Sequence, residues 1–373
     1  MRVLYWTQLF WPYIGGVEVL GARLLISLRA RGHELQVVTS HGALELPDEE
    51  EFEGIPVHRL PFETALSGQD LGSMTAALRR VAVLKREFRP DLTHVNLTDA
   101  SVFFHLQTGS AWPSRTLLTT RVAMTHAVAG GDTLLGRSLR AADWVTTNSS
   151  AMLADLHRLV PEIRDRSSLI YNGLEMPSLE PVPLPFDPPV LMCLGRLVES
   201  KGFDLAVAAM PTLLKEEPDL RLVLAGDGPV GPDLVRQAES LGVAEAVTFP
   251  GWVQPEAVAE LMNGATLVIV PSRWPEAFGL VALQAAQMSR PVVAAGVGGL
   301  PEVVAHGETG LIVEAEDVQG LVAAVRSLLA EPEWAEALGR KGRDRAGELF
   351  GWDAHVDAYD TLYRRLQNGG KRC

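Results

Sequence analysis

Two basic residues stand five positions apart in a turn bounded by glycines, Gly195-Arg196-Leu-Val-Glu-Ser-Lys201-Gly202. The turn follows an apolar run typical of a strand and precedes a helical pattern. Arg196 offers a planar fork of donors and Lys201 a point charge, and together they suit a diphosphate. An exposed turn with incidental charges is the alternative, and this segment alone leaves both open.

A carboxylate occupies a second strand-to-helix turn, Pro271-Ser-Arg-Trp-Pro-Glu276-Ala-Phe-Gly279. Gln284 follows within the predicted helix. A carboxylate in this position can cap the helix by accepting from its first N–H groups. It can equally bind sugar hydroxyls beside a phosphate that those N–H groups hold.

Glycine and proline are in surplus, with 34 and 24 residues in a chain of 373. Glycines gather where predicted strands give way to helices, as at Gly15-Gly16, Gly195, Gly202 and Gly279. Without Cβ atoms these turns let a ligand approach backbone N–H groups at a helix N-terminus. Each glycine could also simply cap a helix or make a turn.

One glycine motif, Gly226-Asp-Gly228-Pro-Val-Gly231, matches the dinucleotide fingerprint G-x-G-x-x-G. Pro229 and Pro232 remove two N–H groups from the phosphate cradle, and the motif follows the second strand of its half. We therefore do not interpret it as a dinucleotide site.

Charge and composition exclude several classes of protein. The net charge of −13 argues against nucleic acid as a partner, so any anionic ligand must be held locally. Cys193 and Cys373 form no disulfide framework or metal quartet, and Cys193 is expected to be buried. No apolar stretch is long enough for a signal peptide or membrane span, which predicts a cytoplasmic protein.

Short apolar runs predict strands, among them Arg115–Thr119, Trp144–Thr147, Val190–Leu194, Leu267–Val270 and Val292–Ala295. They alternate with helical patterns along the chain, which predicts an α/β fold of two doubly wound, Rossmann-like domains facing across a cleft. Residues 1–176 would form the first domain and 190–350 the second. The six prolines between Met176 and Val190 predict an extended linker over 177–189. The acidic run Asp48–Glu51 is interpreted as a solvated loop.

Together these segments resemble the family 4 retaining glycosyltransferases of the GT-B fold. The resemblance rests on motifs in a fixed order over some 300 residues. They are Gly15-Gly16-Val-Glu18, Arg31-Gly-His-Glu34, Tyr171-Asn-Gly173, the Gly195–Gly202 and Leu224–Pro229 turns, Pro271–Val281, and Gly298–Leu311. It implies that the final helix, within 351–373, packs back on the first domain.

The resemblance also implies roles for individual residues. Arg196 and Lys201 would hold the diphosphate of a nucleotide-sugar donor, and Glu276 would meet the transferred sugar. Contacts to the donor would come from Gly15, Gly16, Gly195, Val253, Phe278, Gly279, Leu280, Val281 and Gln284. The expected reaction moves a hexose, from a UDP-sugar in preference to a GDP-sugar, to a hydroxyl acceptor. No cofactor or metal is implied, because Arg196 and Lys201 supply the charge that a metal would.

Two positions depart from the family pattern. Gln284 stands where the family usually has a glutamate that binds both ribose hydroxyls. Arg121 stands where a histidine usually faces the sugar, and His126 or His94 could reach the same space. A nucleotide-sugar binder without activity, and a nucleotide-sugar epimerase, therefore remain as alternatives.

The helical pattern Met74–Phe88 carries a predicted basic face of Arg79, Arg80, Lys85, Arg86 and Arg89. Such a face can contact an anionic membrane, through Arg79, Arg80 and Arg86 in particular, or can simply be solvated.

Overall fold

The computed structural model describes residues 1–67, 71–96, 99–121 and 132–369. The chain forms two compact units. Unit 1 comprises Met1–Tyr171 together with the chain from His355 onward, and unit 2 comprises Asn172–Ala354. The chain thus leaves unit 1 ahead of the proline-rich segment and returns to it at the start of its last helix.

Unit 1 is built on an eight-stranded sheet of order β3-β4-β2-β1-β5-β6-β7-β8. All its strand pairs are parallel except β3–β4. The strands are β1 Arg2–Thr7, β2 Glu34–Ser40, β3 Glu49–Phe52, β4 Ile55–Leu60, β5 Leu92–Asn96, β6 Arg115–Thr119, β7 Trp144–Thr147 and β8 Ser167–Leu169. The helices are Gly16–Ala30, Phe62–Ser67, Leu71–Phe88, Val102–Gln107, Leu134–Ala141, Ser150–Leu159 and Trp352–Gln367.

The acidic run that was expected to be a solvated loop is a strand, so that expectation is wrong. β3 pairs with β4 in an antiparallel hairpin, with Phe52 opposite Ile55. Glu53 and Gly54 join the strands, both with positive φ, at 49° and 73°. Two such residues in succession make the tight turn that fits the twist of a hairpin. The charged side chains of β3 suit the edge of a sheet, where they discourage further pairing.

The last helix, Trp352–Gln367, lies against unit 1 through a stripe of buried side chains. Val356, Tyr359, Leu362, Tyr363 and Leu366 are each at most 9 % exposed. His33 Nε2 is 2.8 Å from Asp360 Oδ1, which ties the end of the first helix–strand connection to this helix. Residues 355 to 367 therefore belong structurally to the first half of the chain.

Unit 2 contains a six-stranded, all-parallel sheet of order β11-β10-β9-β12-β13-β14. Its strands are β9 Val190–Leu194, β10 Arg221–Ala225, β11 Val247–Gly251, β12 Leu267–Val270, β13 Val292–Ala295 and β14 Gly310–Val313. Its helices are Phe203–Leu213, Gly231–Ser240, Val258–Asn263, Leu280–Gln287, Leu300–Val303, Val318–Ala330 and Pro332–Leu349. Cys193 is fully buried in β9, as expected.

The proline-rich segment is held against unit 2 by polar side chains. Asn263 accepts from the backbone N–H of Val182 and donates to Glu180 O. Thr266 donates to Pro185 O and Arg290 to Val182 O. Leu184 is 8 % exposed and packs in the core of the unit. These bonds satisfy a backbone that forms no helix and little sheet.

Each sheet reverses its strand order beside its first strand. In unit 2 the chain winds from β9 out to β11 and then continues on the other side with β12, so the reversal lies between β9 and β12. In unit 1 it lies between β1 and β5. Ligands of doubly wound sheets bind beyond the carboxyl ends of the strands at such a reversal.

The predicted basic face of the helix Leu71–Phe88 is only partly correct. Arg79, Arg80, Arg86 and Arg89 are exposed, but Lys85 is 1 % exposed and donates to His105 O at 2.9 Å. Lys85 was assigned to the basic face because it is charged. It lies one helical turn after the buried Val81, however, so its side chain is on the buried face of the helix. In the described part of the chain, no helix is long and apolar enough to cross a membrane.

Candidate active site

The turn after β9 presents the two basic residues in a backbone that glycine permits. Gly195 has φ of 144° and Gly202 has φ of 66°, and a short 3-10 helix, Glu199–Lys201, lies between them. A Cβ at Gly202 would stand 2.1 Å from Pro271 O, so the β12 turn packs directly on this glycine. Arg196 is exposed and Lys201 is half-buried.

The Gly226–Gly231 motif, which matches the dinucleotide fingerprint, packs against the backbone of the turn after β9. A Cβ at Gly226 would lie 1.8 Å from Gly195 O, and one at Gly228 would lie 2.3 Å from Leu197 O. Leu197 N donates to Asp227 O at 2.8 Å. The two glycines are thus needed for close packing of two backbones, which accounts for the motif without a dinucleotide.

Lys201 and Glu276 meet across the strand-order reversal. The Lys201 ammonium forms an ion pair with Glu276 Oε1, which also accepts from Ser272 Oγ at 2.7 Å. The side chains of Lys201 and Glu276 are 28 % and 17 % exposed. The turns after β9 and β12 therefore bring a cation, a carboxylate and a hydroxyl to one point, where phosphate and hydroxyl groups of a ligand can compete for them.

A third turn fixes the backbone of Glu276. Gly299 N donates to Glu276 O at 2.8 Å, and a Cβ at Gly298 would lie 2.1 Å from the same oxygen. Sequence reasoning noted these glycines, but it missed Ser272 as a partner of Glu276. Ser272 could have been found from its position, because it lies four residues before Glu276 in the same strand-to-helix turn.

Helix Leu280–Gln287 begins beside this cluster. Its N-cap is Gly279, with φ of 109°, which has no side chain to cap the first N–H groups of the helix. Phe278 is buried against Phe350, whereas Leu280, Val281 and Gln284 are half-buried. An uncapped N-terminus carries partial positive charge and suits an anionic ligand.

Val253 lies farther from the cluster. It follows β11, which is the edge strand, and β10 separates β11 from β9. Val253 is half-buried next to Trp252, whose exposure is 49 %. An exposed aromatic and an aliphatic side chain provide an apolar surface at this end of the sheet.

In unit 1, Gly15 and Gly16 occupy the corresponding position after β1. Gly15 is the extended N-cap of helix Gly16–Ala30, and Gly16 is exposed. A Cβ at Gly15 would stand 2.2 Å from Glu18 Oε2. The helix N-terminus and the Glu18 carboxylate thus lie together.

Arg121 follows β6 and is 5 % exposed, and its Nε donates to Asn96 Oδ1 at 2.7 Å. Its charge lowers the pKa of His94 and of His355, after the larger effect of burial on each. Arg121 is therefore a central charge at the carboxyl edge of this sheet.

His94 does not reach the open space that was considered for it. It is fully buried, with Nδ1 2.6 Å from Tyr363 Oη and Nε2 2.7 Å from Thr119 Oγ1. That expectation is wrong because the last helix covers the strand end. His126 lies outside the described residues. Among the residues that are described, no cluster of three His, Cys, Asp or Glu side chains could hold a metal ion.

Comparison with known proteins shows that the two-sheet fold is that of the GT-B glycosyltransferases. Residues 14–176 match the family model "Glycosyltransferase Family 4", and residues 179–345 match "Glycosyl transferases group 1". The D-inositol 3-phosphate glycosyltransferase of Rhodococcus opacus strain B4 is 30 % identical, over 94 % of this chain and 85 % of the relative. The chain belongs to glycosyltransferase family 4.

Solved structures share the whole fold. The sucrose-phosphate synthase of Thermosynechococcus elongatus superposes with a TM-score of 0.84 at 26 % identity, over 99 % of this chain and 100 % of that one. HepE of Anabaena, solved in complex with UDP and glucose, gives a TM-score of 0.79 at 21 % identity, over 98 % and 100 % of the two chains. Both predictions, the GT-B fold and the family, are confirmed.

Proposed function

We propose that this enzyme is a retaining, metal-independent hexosyltransferase that uses a nucleoside-diphosphate sugar, with UDP as the nucleotide. The observation that carries the proposal is the meeting of Lys201, Glu276 and Ser272 beside the uncapped helix Leu280–Gln287 and the exposed Arg196. The UDP bound in the Anabaena neighbour supports the choice of nucleotide.

The leaving diphosphate is the group that this cluster fits. Negative charge grows on its oxygen as the anomeric C–O bond breaks, and fixed cations there lower the barrier. Arg196 supplies a bidentate fork and Lys201 a point charge. Two cations and the helix N-terminus can do what a metal ion does elsewhere, so we propose that no metal or cofactor is needed.

The anomeric configuration is retained if the acceptor attacks, and the diphosphate leaves, on the same face of the sugar. The acceptor oxygen forms the new bond to the anomeric carbon, the bond to the diphosphate breaks, and the leaving phosphate oxygen takes the acceptor proton. Glu276, held by Ser272 and by the Gly298–Gly299 turn, accepts from hydroxyls of the transferred sugar. Gln284 binds the ribose, and Val253 lies against the base.

The acceptor would be bound by unit 1, near Arg121. The name of the Rhodococcus relative supports a hydroxyl-rich acceptor, because it refers to D-inositol 3-phosphate. The Arg121 guanidinium, fixed by Asn96, is suited to the acceptor hydroxyls or to a charged group on the acceptor.

A peripheral membrane contact is a separate part of the proposal. Arg79, Arg80 and Arg86 are exposed on one helix, although Arg80 already pairs with Glu49. Binding to vesicles containing phosphatidylglycerol should be lost in high salt and in the double variant Arg79→Glu/Arg86→Glu. If the double variant sedimented with the vesicles as well as the wild type does at low salt, the proposed membrane contact would be wrong.

The reaction is tested by release of nucleotide from UDP-glucose, UDP-galactose, GDP-mannose and ADP-glucose, without and with added EDTA. We expect release from a UDP-sugar that survives EDTA and falls at least 100-fold in Arg196→Ala and in Lys201→Ala. Arg236→Ala, an exposed arginine in the same unit, is the matched control.

Three results would contradict parts of the proposal. Nucleotide binding without turnover of any sugar would indicate a binding protein, and an isomerised donor without transfer would indicate an epimerase. Release from GDP-mannose alone would overturn UDP as the nucleotide. The anomeric configuration of the product, read by NMR, tests retention.

A further inference from the structure

A cavity opens in unit 2 next to the cluster of Lys201, Glu276 and Ser272, but other residues line it. Its volume is 590 Å³, and its wall comes from the starts of helices Phe203–Leu213 and Gly231–Ser240, from Val198 and Glu199 of the turn after β9, and from the turn after β12. Neither Arg196, Lys201 nor Glu276 lines it. The volume lies within the usual range for a small-molecule site, about 300–1,000 Å³.

Trp274 stands at the rim of this cavity and is 64 % exposed. A large aromatic side chain that remains open to solvent loses the free energy that burial would provide, about 2 kcal/mol or more. The neighbouring Pro275 is also exposed. The rim therefore offers a flat apolar surface that the fold itself does not cover.

Arg273, the residue before Trp274, fixes a positive charge in the wall. Its two terminal nitrogens lie 2.5 and 2.6 Å from the two carboxylate oxygens of Asp204, and its Nε lies 3.8 Å from Glu316. Its backbone N–H donates to Ser200 O at 2.9 Å. The bidentate pair holds the start of the Trp274 turn against helix Phe203–Leu213.

Charge restricts what can enter. Glu199, Asp233 and Glu316 line the cavity in addition to the neutralised pair of Arg273 and Asp204, so an anionic ligand is repelled. The charge of the lining does not exclude a cation, and competition with choline distinguishes that case. Gln237 also lines the wall, and its Nε2 donates to Asp204 O at 2.9 Å.

We infer that this cavity is a binding site for a neutral carbohydrate, separate from the site that would hold the nucleotide. The C–H face of a sugar ring would lie on Trp274, and its hydroxyls would donate to Glu199, Asp233 and Glu316. A sugar fits because it is uncharged, has one apolar face and carries several donors. The inference does not depend on which donor the enzyme uses.

Electrophoresis of the full-length protein in native gels that contain glycogen, dextran or yeast mannan tests the inference. We expect at least one polysaccharide to retard the protein relative to serum albumin. Trp274→Ala should weaken the apparent affinity tenfold or more, and Trp274→Phe should restore most of it. Arg340→Ala, an exposed arginine on helix Pro332–Leu349 and outside the cavity lining, should change nothing.

Two further variants keep the test informative if Trp274→Ala does not fold, as judged by its thermal unfolding. Gln237→Ala and Asp233→Asn should each weaken retardation about threefold. Nucleotide release, measured on the same samples, should persist in Asp233→Asn, which separates this site from the reaction.

Three outcomes would overturn the inference: no retardation by any of the polysaccharides, equal retardation of the Trp274→Ala variant, or retardation abolished by choline at constant ionic strength. The last outcome would identify a site for cations instead.

Discussion

Gln284 stands at a position where the resemblance to family 4 implies a glutamate. An amide accepts through one oxygen, whereas a carboxylate can accept through two, and hydrogen bonds to a charged acceptor are roughly twice as strong. Gln284 lies on the half-buried face of helix Leu280–Gln287, one turn and a half from Gly279. If Gln284 faces the ribose, as proposed, its hold on the ribose is weaker than that of a glutamate.

Gln284→Glu should therefore tighten the binding of UDP, by about fivefold if the gain is about 1 kcal/mol. Isothermal titration calorimetry with UDP measures this. The same titration with 2′-deoxy-UDP is the control, because a ribose contact predicts a smaller gain there. An equal gain for both nucleotides would mean that residue 284 does not face the ribose.

Lys85 is a buried amine, and its environment makes the stability of the protein depend on pH. Its Nζ is 3.2 Å from His105 Nδ1, and burial lowers the pKa of Lys85 to about 7. The unfolded chain has the higher pKa, so between about pH 7 and 10.5 it binds more protons than the folded protein. Stability should rise with pH through this window, and the full cost of charging the amine is present below it.

The free energy of unfolding, measured with urea from pH 7 to 10, should therefore rise more steeply with pH in the wild type than in Lys85→Met. The difference in slope is at most about 1.4 kcal/mol per pH unit. Arg86→Met, an exposed neighbour on the same helix, should follow the wild type. Parallel curves for the wild type and Lys85→Met would refute the lowered pKa.

At the scale of elements, the turns of unit 2 depend on glycines that touch other backbones. Gly226 has φ of 135°, and its missing Cβ would lie 1.8 Å from Gly195 O. Gly242 also has positive φ, at 69°, but nothing lies within 4 Å of its missing Cβ. Gly242 therefore reports the cost of left-handed backbone without close packing, whereas Gly226 combines close packing with a φ that residues with a Cβ adopt even less readily.

Gly242→Ala should cost about 1–2 kcal/mol of stability from conformation alone. Gly226→Ala should cost at least about 2 kcal/mol more, because a backbone must move, and it should also displace the Gly195–Leu197 turn and weaken UDP binding. Thermal unfolding and calorimetry measure both effects. Equal losses in the two variants would show that the contact at Gly226 is not required.

Strands and helices whose own residues carry a clear apolar pattern could be predicted. Strands that form only because they pair with a neighbouring strand could not. β6, β7, β9, β12 and β13 have the predicted bounds, because aliphatic runs between helices predict buried parallel strands. β3 has the composition of a loop, and only its hairpin with β4 makes it a strand. β4, β8 and β14 were not predicted, and neither were the short helices Phe62–Ser67, Val102–Gln107 and Leu300–Val303.

In the candidate site too, some features could be predicted from local sequence and others could not. The positions of Arg196, Lys201 and Glu276 followed from motifs at the ends of strands, because the topology of a parallel sheet brings those ends together. Ser272 lies only four residues from Glu276, and that spacing could have identified it. The direct pairing of Lys201 with Glu276 and the burial of His94 under the last helix depend instead on contacts 75 and 269 residues apart in sequence. Spacing alone does not encode such contacts.

At the scale of the whole molecule, the first unit is completed by the end of the chain. The helix Trp352–Gln367 buries five large side chains against unit 1, and Tyr363 provides the hydrogen-bond partner of the buried His94. Burial of five such side chains stabilises by roughly 7–15 kcal/mol. A typical domain has a total stability of only about 5–15 kcal/mol. Unit 1 should therefore not remain folded without this helix.

A chain that ends at Ala354 should lose the fold of unit 1 while unit 2, whose sheet and helices are all present, stays protected. Limited proteolysis followed by mass spectrometry should find early cuts within residues 1–171 and late cuts within 190–350. A chain that ends at Asn368 keeps the whole helix and serves as the control, with cleavage like that of the full chain. Slow cleavage of residues 1–171 in the shorter chain would mean that the helix covers a unit that is already stable without it.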